Sequence, residues 1–141
     1  MSVYLDASIL LPTIVLEPGT PLVKRFISRV TAAPWVSEFA AAEVGSAISR
    51  LVRMRVLEAS DARERLTDFD SWRATDTTLI DVEGSDVRLA GVIVRRFEFI
   101  LRAPDALHLA ICRRLDAPLI TMDRRMAAAA AELGVTATRL A

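Results

Sequence analysis

Four carboxylates occupy positions in the sequence where an acidic side chain is unexpected. Asp6 closes the apolar segment VYL, and Asp123 follows the apolar segment LIT by one residue. Glu43 interrupts the apolar stripe of a helical pattern, and Asp105 stands near the start of the apolar segment APDALHLA. Burying a lone carboxylate costs several kcal/mol. Each of the four therefore needs a proton, a basic partner or a metal ion.

These acids have one chemical use in common if the fold brings them together. Carboxylates that converge without lysine or histidine partners repel one another, which raises their pKa values. A hard divalent cation removes that cost, because Mg²⁺ prefers oxygen ligands and is held by one or two carboxylates, waters and substrate phosphates. An all-carboxylate site therefore indicates phosphodiester or phosphoester hydrolysis. It argues against zinc, which prefers nitrogen and sulfur ligands.

Each acid also has an ordinary structural interpretation. Asp123 is placed to cap a helix, and Asp105 lies in a first helical turn, where the helix dipole favours an acid. Asp6 could simply end a strand. Glu43 has no capping role in mid-helix, so its structural alternative is an ion pair with an arginine.

Short apolar segments alternate with helical patterns along the chain. Strands are predicted over 3–5, 35–36, 77–82 and 118–121, with a last edge strand over 135–140. This alternation predicts an α/β fold with a mostly parallel sheet. In such sheets the working site lies beyond the carboxyl ends of the strands, which is where Asp6 and Asp123 fall.

Local signals predict where several helices begin and end. Ser37 and Asp123 are expected to cap the helices that follow them. Pro12 is expected to kink the first helix. A further helix is predicted to run from Ser85 to Phe99.

Composition and charge are those of an ordinary globular domain. The chain has 141 residues, of which 52% are hydrophobic, and 18 basic residues balance 18 acidic ones. We expect one domain, 1–141, with a sizeable core. Zero net charge excludes overall attraction to nucleic acid but leaves local basic patches open. Cys112 is the only cysteine, and no secretory signal or membrane-length apolar run is visible, so we expect a cytoplasmic protein with no membrane segment.

Together the acidic segments resemble the motifs of the PIN-domain nucleases, and most closely those of the VapC-type toxins of bacterial toxin–antitoxin pairs. The segments are VYLDASILL, SEFAAAEVGSAI, RAPDALHLA and LITMDRRM. They occur in the family's order and at compatible spacing over essentially the whole chain. The resemblance implies a PIN-like three-layer α/β/α fold with a five-stranded parallel sheet in the order 3-2-1-4-5.

The resemblance also implies an activity and its partners. It implies an Mg²⁺- or Mn²⁺-dependent endoribonuclease, a homodimer, an RNA substrate and a cognate VapB-like antitoxin that inserts a segment into the active-site groove. By motif position, the catalytic and metal-binding acids would be Asp6, Glu43, Asp105 and Asp123. The supporting hydroxyl residues would be Ser8 and Thr121.

This sequence departs from the pattern of some family members at one place. Those members carry a further acid shortly after the last one, whereas this chain has Arg124 and Arg125 there. A second metal site is therefore left open. With Arg102, these arginines are candidates for phosphate contacts, and solvated side chains or antitoxin ion pairs are the alternative.

Two further features have more than one interpretation. Arg88, Arg95 and Arg102 recur every seven residues and would share one helical face if their helix ran that far. His108 is the only histidine and lies three residues after Asp105. We expect it to be packed and satisfied by hydrogen bonds. Contact with substrate or with a carboxylate is the alternative.

Other functions fit parts of the pattern. A haloacid-dehalogenase-like phosphatase would need a second aspartate two residues after Asp6, where this chain has Ser8. A two-component receiver domain would need a lysine after a late strand, and the only lysine is Lys24. Within the PIN family, two alternatives remain open: an RNA-processing nuclease that is not a toxin, and a catalytically silent scaffold that binds a protein.

Overall fold

Five short strands form one parallel sheet at the centre of the structure, a computed structural model that describes residues 2–141. The strands are β1 (Tyr4–Leu5), β2 (Trp35–Ser37), β3 (Thr78–Ile80), β4 (Leu119–Thr121) and β5 (Ala137–Arg139). Their order is β3-β2-β1-β4-β5, and every neighbouring pair is parallel. The predicted α/β fold and its strand order are confirmed.

Helices cover both faces of this sheet. They are α1 (Ala7–Leu10), α2 (Thr20–Arg29), α3 (Glu38–Arg53), α4 (Ala59–Asp76), α5 (Gly84–Val94), α6 (Ala103–Leu115) and α7 (Arg124–Glu132). One core layer is built on α5, α6 and α7, and the other is built mainly on α1, α2, α3 and α4. Within residues 2–141 none of the helices combines the length and the apolarity that crossing a bilayer would require.

The central strand β1 contributes to both core layers. Successive side chains of a strand point to opposite faces, so Tyr4 packs in the layer with α5–α7, and Leu5 packs in the layer with α1–α4. Both side chains are fully buried. Asp6 follows directly, at the carboxyl end of a strand that has no exposed face.

The predicted helix caps at Ser37 and Asp123 are confirmed. The Ser37 hydroxyl accepts a hydrogen bond from the Ala40 amide at 3.0 Å. The Asp123 carboxylate accepts one from the Met126 amide at 2.8 Å. Because these caps start α3 and α7 right after β2 and β4, the first turns of both helices lie at the carboxyl edge of the sheet.

The first predicted helix is shorter than expected. Pro12 does not kink a continuous helix; α1 stops at Leu10, and a separate 3₁₀ turn, Leu11–Thr13, follows. Proline lacks the amide hydrogen that would continue the helical ladder. The chain therefore leaves the helix one turn after Asp6.

The predicted helix from Ser85 to Phe99 was wrong at both ends. The residue before α5 is Glu83, whose amide donates to Asp86, and α5 ends at Val94. A 3₁₀ turn follows and closes at Ile100, which has a left-handed φ of 55°. The idea that Arg88, Arg95 and Arg102 share one helical face is wrong, because the last two lie outside α5.

An ion pair fixes α6 against α5. Arg114 on α6 donates two hydrogen bonds to Asp86 on α5, at 2.8 and 2.9 Å. Asp86 is 1% exposed. Burial raises the pKa of the Asp86 carboxyl, but the hydrogen bonds from Arg114 and from the Glu83 amide, together with the Arg114 charge, outweigh burial and hold that pKa below its usual value. This pair holds in place the helix that carries Asp105 and His108.

Candidate active site

One cavity at the carboxyl edge of the sheet is lined by all four predicted acids. Its volume is about 160 Å³. The lining residues are Asp6, Ala7, Ser8, Glu43, Asp105, His108, Asp123 and Met126. The acids come from the end of β1, from α3, from α6 and from the turn after β4. Folding therefore brings together side chains from four separate segments, at the edge where parallel sheets place their sites.

Asp6 is the most enclosed of the four acids, with 2% exposure. One carboxylate oxygen accepts the Ser8 hydroxyl at 2.6 Å, and the other accepts the Thr121 hydroxyl at 2.5 Å. Each hydroxyl oxygen in turn accepts a backbone amide, from Met122 at 2.9 Å and from Asp123 at 3.0 Å. Burial raises the pKa of Asp6, and the two hydroxyl bonds lower it only in part. Ser8 and Thr121 therefore lie where they support this acid.

Asp105 and Asp123 each combine a structural contact with a place in the cavity. Asp105 accepts the Arg102 amide at 3.3 Å through Oδ2, and Asp123 accepts the Met126 amide through Oδ1. Among the described residues, the second oxygen of each acid has no hydrogen-bond partner. Burial raises the pKa of Asp105, and the nearby charge of Asp123 raises it further. Each of these two acids therefore accepts a backbone hydrogen bond at the start of its helix and also belongs to the acidic cluster.

Glu43 has a histidine partner, so the prediction that the acids converge without one was wrong. His108 Nε2 lies 2.5 Å from Glu43 Oε1, and no arginine pairs with Glu43 in the described part of the chain. The His108 ring is buried, and its Nδ1 lies 2.6 Å from the Tyr4 hydroxyl. The expectation of a packed, hydrogen-bonded histidine is confirmed, and so is its alternative, contact with a carboxylate.

Sequence reasoning missed Tyr4 and Ser37 as neighbours of the site. The Tyr4 hydroxyl contacts His108 and also lies 2.8 Å from the Ser37 hydroxyl. A tyrosine in an apolar strand gives no local signal of a polar partner. The sequence signal was confined to His108 itself, which lies one helical turn after Asp105 and so on the same face of the helix.

The match to a family model agrees with this geometry. A model described as the PIN domain matches residues 3–132. The chain belongs to the PIN-domain family. No curated protein sequence matches the chain significantly.

Solved structures share the PIN fold at low sequence identity. VapC20 of Mycobacterium tuberculosis, a toxin that cleaves the sarcin–ricin loop, aligns with a TM-score of 0.73 at 17% identity over 91% of this chain and 95% of its own. VapBC2 from Rickettsia felis, bound to a promoter DNA fragment, gives 0.72 at 13% identity over 100% of both chains. VapBC-1 from nontypeable Haemophilus influenzae gives 0.67 at 11% identity over 99% and 98%. At these identities the likeness shows the fold.

The donor set of this PIN domain suits a hard divalent cation. The cavity lining contains four carboxylates and neither lysine nor arginine. Mg²⁺ needs only one or two carboxylates when waters and phosphates complete its shell. Within residues 2–141, no three His, Cys, Asp or Glu side chains are arranged to hold an ion by themselves. The residues fit a cation that keeps waters or takes substrate oxygens, and they do not fit a closed all-protein site.

The three candidate phosphate-binding arginines lie beside two of the acids in sequence. Arg102, Arg124 and Arg125 are exposed, and none of them lines the cavity. The ion pairs seen among residues 2–141 include none of their side chains. They are available to a charged partner outside the cavity.

Proposed function

We propose that this PIN domain is a metal-dependent endoribonuclease and the toxin of a VapBC-type toxin–antitoxin pair. One observation carries the proposal: Asp6, Glu43, Asp105 and Asp123 meet around one cavity that has no lysine or arginine in its lining. Like charges are gathered there at a cost in free energy. A divalent cation and a phosphodiester substrate account for that arrangement.

The four acids would hold Mg²⁺ or Mn²⁺. Glu43, Asp105 and Asp123 each keep one oxygen free of hydrogen bonds to the described residues, and Asp6 keeps lone pairs beside its two hydroxyl partners. When bound, the cation would supply positive charge beside the phosphate and would also lower the pKa of water, which makes hydroxide available at neutral pH.

The protein's own contribution is to hold these oxygens in place before the substrate arrives. Asp6 cannot rotate without breaking its bonds to Ser8 and Thr121, and those hydroxyls are themselves held by backbone amides. Fixed charges of this kind need no rearrangement during the reaction, which is why preorganised sites accelerate it. Ser8 and Thr121 therefore act through Asp6.

Arg102, Arg124 and Arg125 are the proposed RNA contacts. Their exposed guanidinium groups can form paired hydrogen bonds with phosphate oxygens. Such contacts would hold the RNA backbone over the cavity, and they carry no sequence information.

The proposed partners follow from the VapC-type resemblance. We propose a cognate VapB-like antitoxin, a homodimer and a cytoplasmic location. The similarity to VapBC2 and VapBC-1 supports an antitoxin partner, because both of those are toxin–antitoxin proteins with the same fold.

A cleavage assay tests the enzymatic half of the proposal. A mixed RNA pool is incubated with purified protein in Mn²⁺, in EDTA, and with Asp6→Asn at matched concentration. We expect cleavage in Mn²⁺ only, and none from the variant. Asp116→Asn is the matched control, since Asp116 is an exposed acid at the far end of α6 in a left-handed conformation that asparagine also adopts. Cleavage that survives EDTA or Asp6→Asn would contradict the proposal.

Expression in a bacterial host tests the toxin half. We expect wild-type protein to arrest growth and Asp6→Asn to relieve the arrest. Cleavage in vitro without growth arrest would favour the RNA-processing nuclease. Folded protein that neither binds Mn²⁺ nor cleaves RNA would favour the silent scaffold.

A further inference from the structure

A chain of buried hydrogen bonds connects the core to one acid of the candidate site. The Ala40 amide donates to the Ser37 hydroxyl at 3.0 Å, and that hydroxyl lies 2.8 Å from the Tyr4 hydroxyl. Tyr4 lies 2.6 Å from His108 Nδ1, and His108 Nε2 lies 2.5 Å from Glu43 Oε1. Tyr4, Ser37 and His108 are at most 2% exposed. Water therefore has little access to this chain except at Glu43.

The hydrogen bond between His108 and Glu43 has only one possible direction. An ionised carboxylate only accepts hydrogen bonds, so His108 Nε2 carries the hydrogen and donates it to Glu43. In a neutral ring, Nδ1 then accepts from Tyr4, Tyr4 accepts from Ser37, and every hydroxyl hydrogen is used. In a charged ring the bonds at Nδ1 and Tyr4 reverse, but the donation from Nε2 is unchanged. The contact with Glu43 does not depend on the charge of the imidazole.

Glu43 differs from the other three acids in how it is held. Asp6, Asp105 and Asp123 are each anchored by a hydroxyl or a backbone amide within three residues in the sequence. Glu43 has no such local anchor, because it lies in the middle of α3, where amides are used by the helix. Within the described residues its one hydrogen bond is to His108.

The His108 ring is itself held in a fixed orientation. It packs against Tyr4 and Phe39, with ring centroids 5.7 and 5.4 Å away. The hydrogen bond between the Tyr4 hydroxyl and Nδ1 fixes the rotation of the imidazole about its Cβ–Cγ bond. A rigid donor of this kind can hold the side chain of Glu43, which is 29% exposed and has no other hydrogen bond to the described residues.

We propose that His108 is a positioning residue, which holds Glu43 Oε1 so that Oε2 is presented to the divalent cation, and that Tyr4 orients His108 for this task. The inference rests on the proposed function, because it assigns His108 a role in that same metal site. His108 acts through Glu43 and does not itself touch the cation or the substrate.

A pair of matched variants tests this role by Mn²⁺ affinity, measured by calorimetry on the whole chain. In His108→Gln, the amide nitrogen reaches near the Nε2 position and can still donate to Glu43. In His108→Asn, the amide is one carbon shorter and cannot reach it. We expect His108→Asn to weaken Mn²⁺ binding about 10–100-fold, as loss of a partner that orients a ligand does. We expect His108→Gln to stay close to the wild type.

Two further variants separate positioning from stability. Tyr4→Phe keeps the ring packing and removes only the hydroxyl, so we expect a smaller loss of Mn²⁺ affinity than in His108→Asn. Leu109→Ala removes a fully buried side chain next to His108 on α6. It should lower the melting temperature and leave the Mn²⁺ affinity of the folded protein unchanged. Equal losses of affinity in Leu109→Ala and His108→Asn would overturn the proposal.

A double-mutant cycle with Glu43→Gln decides whether His108 acts through Glu43. We expect His108→Asn to cause no further loss of Mn²⁺ affinity in the Glu43→Gln background, and additive losses would overturn the proposal. If Glu43→Gln weakens binding and His108→Asn does not, only this inference fails. If the wild type itself does not bind Mn²⁺, the proposed metal site fails and this inference fails with it.

Discussion

Replacing Asp6 by asparagine should make the metal-free protein more stable while it abolishes cleavage. Asp6 is 2% exposed, and its pKa is raised because burial outweighs the hydrogen bonds from Ser8 and Thr121. Without a cation, the ionised carboxylate therefore opposes folding. Asparagine has nearly the same size and can still hydrogen-bond to both hydroxyls, but it carries no charge.

The size of this effect follows from the contacts of Asp6. Burying an ion costs several kcal/mol in effect, and each of its two hydroxyl bonds returns about 1.5–3 kcal/mol. The raised pKa gives the direction of the balance, because burial outweighs the two bonds. Since the two contributions are of similar size, we expect Asp6→Asn to recover only about 1–2 kcal/mol. In a domain of this length, that corresponds to a rise in melting temperature of roughly 3–8 °C.

The pH dependence gives the prediction its sign. The unfolded carboxyl titrates near its ordinary value of about 3.9, and the folded one titrates higher because of burial. The contribution of Asp6 to stability is fully present below the unfolded pKa and is lost as pH rises through the folded pKa. The advantage of Asp6→Asn should therefore be small in acid, grow with pH and level off above the folded pKa.

Thermal melts in EDTA from about pH 4 to about pH 8, repeated with saturating Mn²⁺, measure both effects. We expect Mn²⁺ to stabilise the wild type and to have little effect on Asp6→Asn, because a ligand stabilises only the state that binds it. Asp116→Asn should melt like the wild type under all conditions. A metal-free Asp6→Asn that melts below the wild type at neutral pH would refute this account of burial.

Two other predictions concern helix packing and RNA binding. Arg114→Leu leaves Asp86 buried without its partner. It should lower the free energy of unfolding by about 2–4 kcal/mol in urea titrations at neutral pH. The loss should lie toward the lower end for a broken buried pair, because the Arg114 side chain is 26% exposed. The pKa of Asp86 is lowered in the fold. The loss of stability should therefore be present above the pKa of the unfolded carboxyl and fade as pH falls through the folded pKa, and an equal loss in acid would contradict this prediction. Arg113→Leu, at an exposed position, is the control. Arg124→Glu should weaken RNA binding and reduce the slope of log affinity against log salt by about 1–2, whereas Arg25→Glu on α2 should not, and unchanged binding would remove Arg124 from the proposed interface.

Local features of the sequence predicted the elements that position the site. The caps at Ser37 and Asp123 and the short apolar strands depend on residues within one turn of each other, and they were read correctly. The ends of α1 and α5 were not. Pro12 ends α1 where a kink was expected, and α5 stops at Val94 although residues 95–99 contain neither proline nor glycine. The strand order came from the family resemblance and is confirmed.

The sequence by itself determined which acids interrupt apolar segments, at the end of a strand, at the start of a helix or, for Glu43, in mid-helix, and hence which residues can form a site. Only the tertiary structure decided how each acid is held. Thr121 bonds to Asp6 across 115 residues, and His108 bonds to Glu43 across 65. Such pairs form because parallel strands bring distant segments to one edge of the sheet, where His108 of α6 meets Phe39 and Glu43 of α3. Periodicity and capping extend over only a few residues, so no local pattern encodes these contacts.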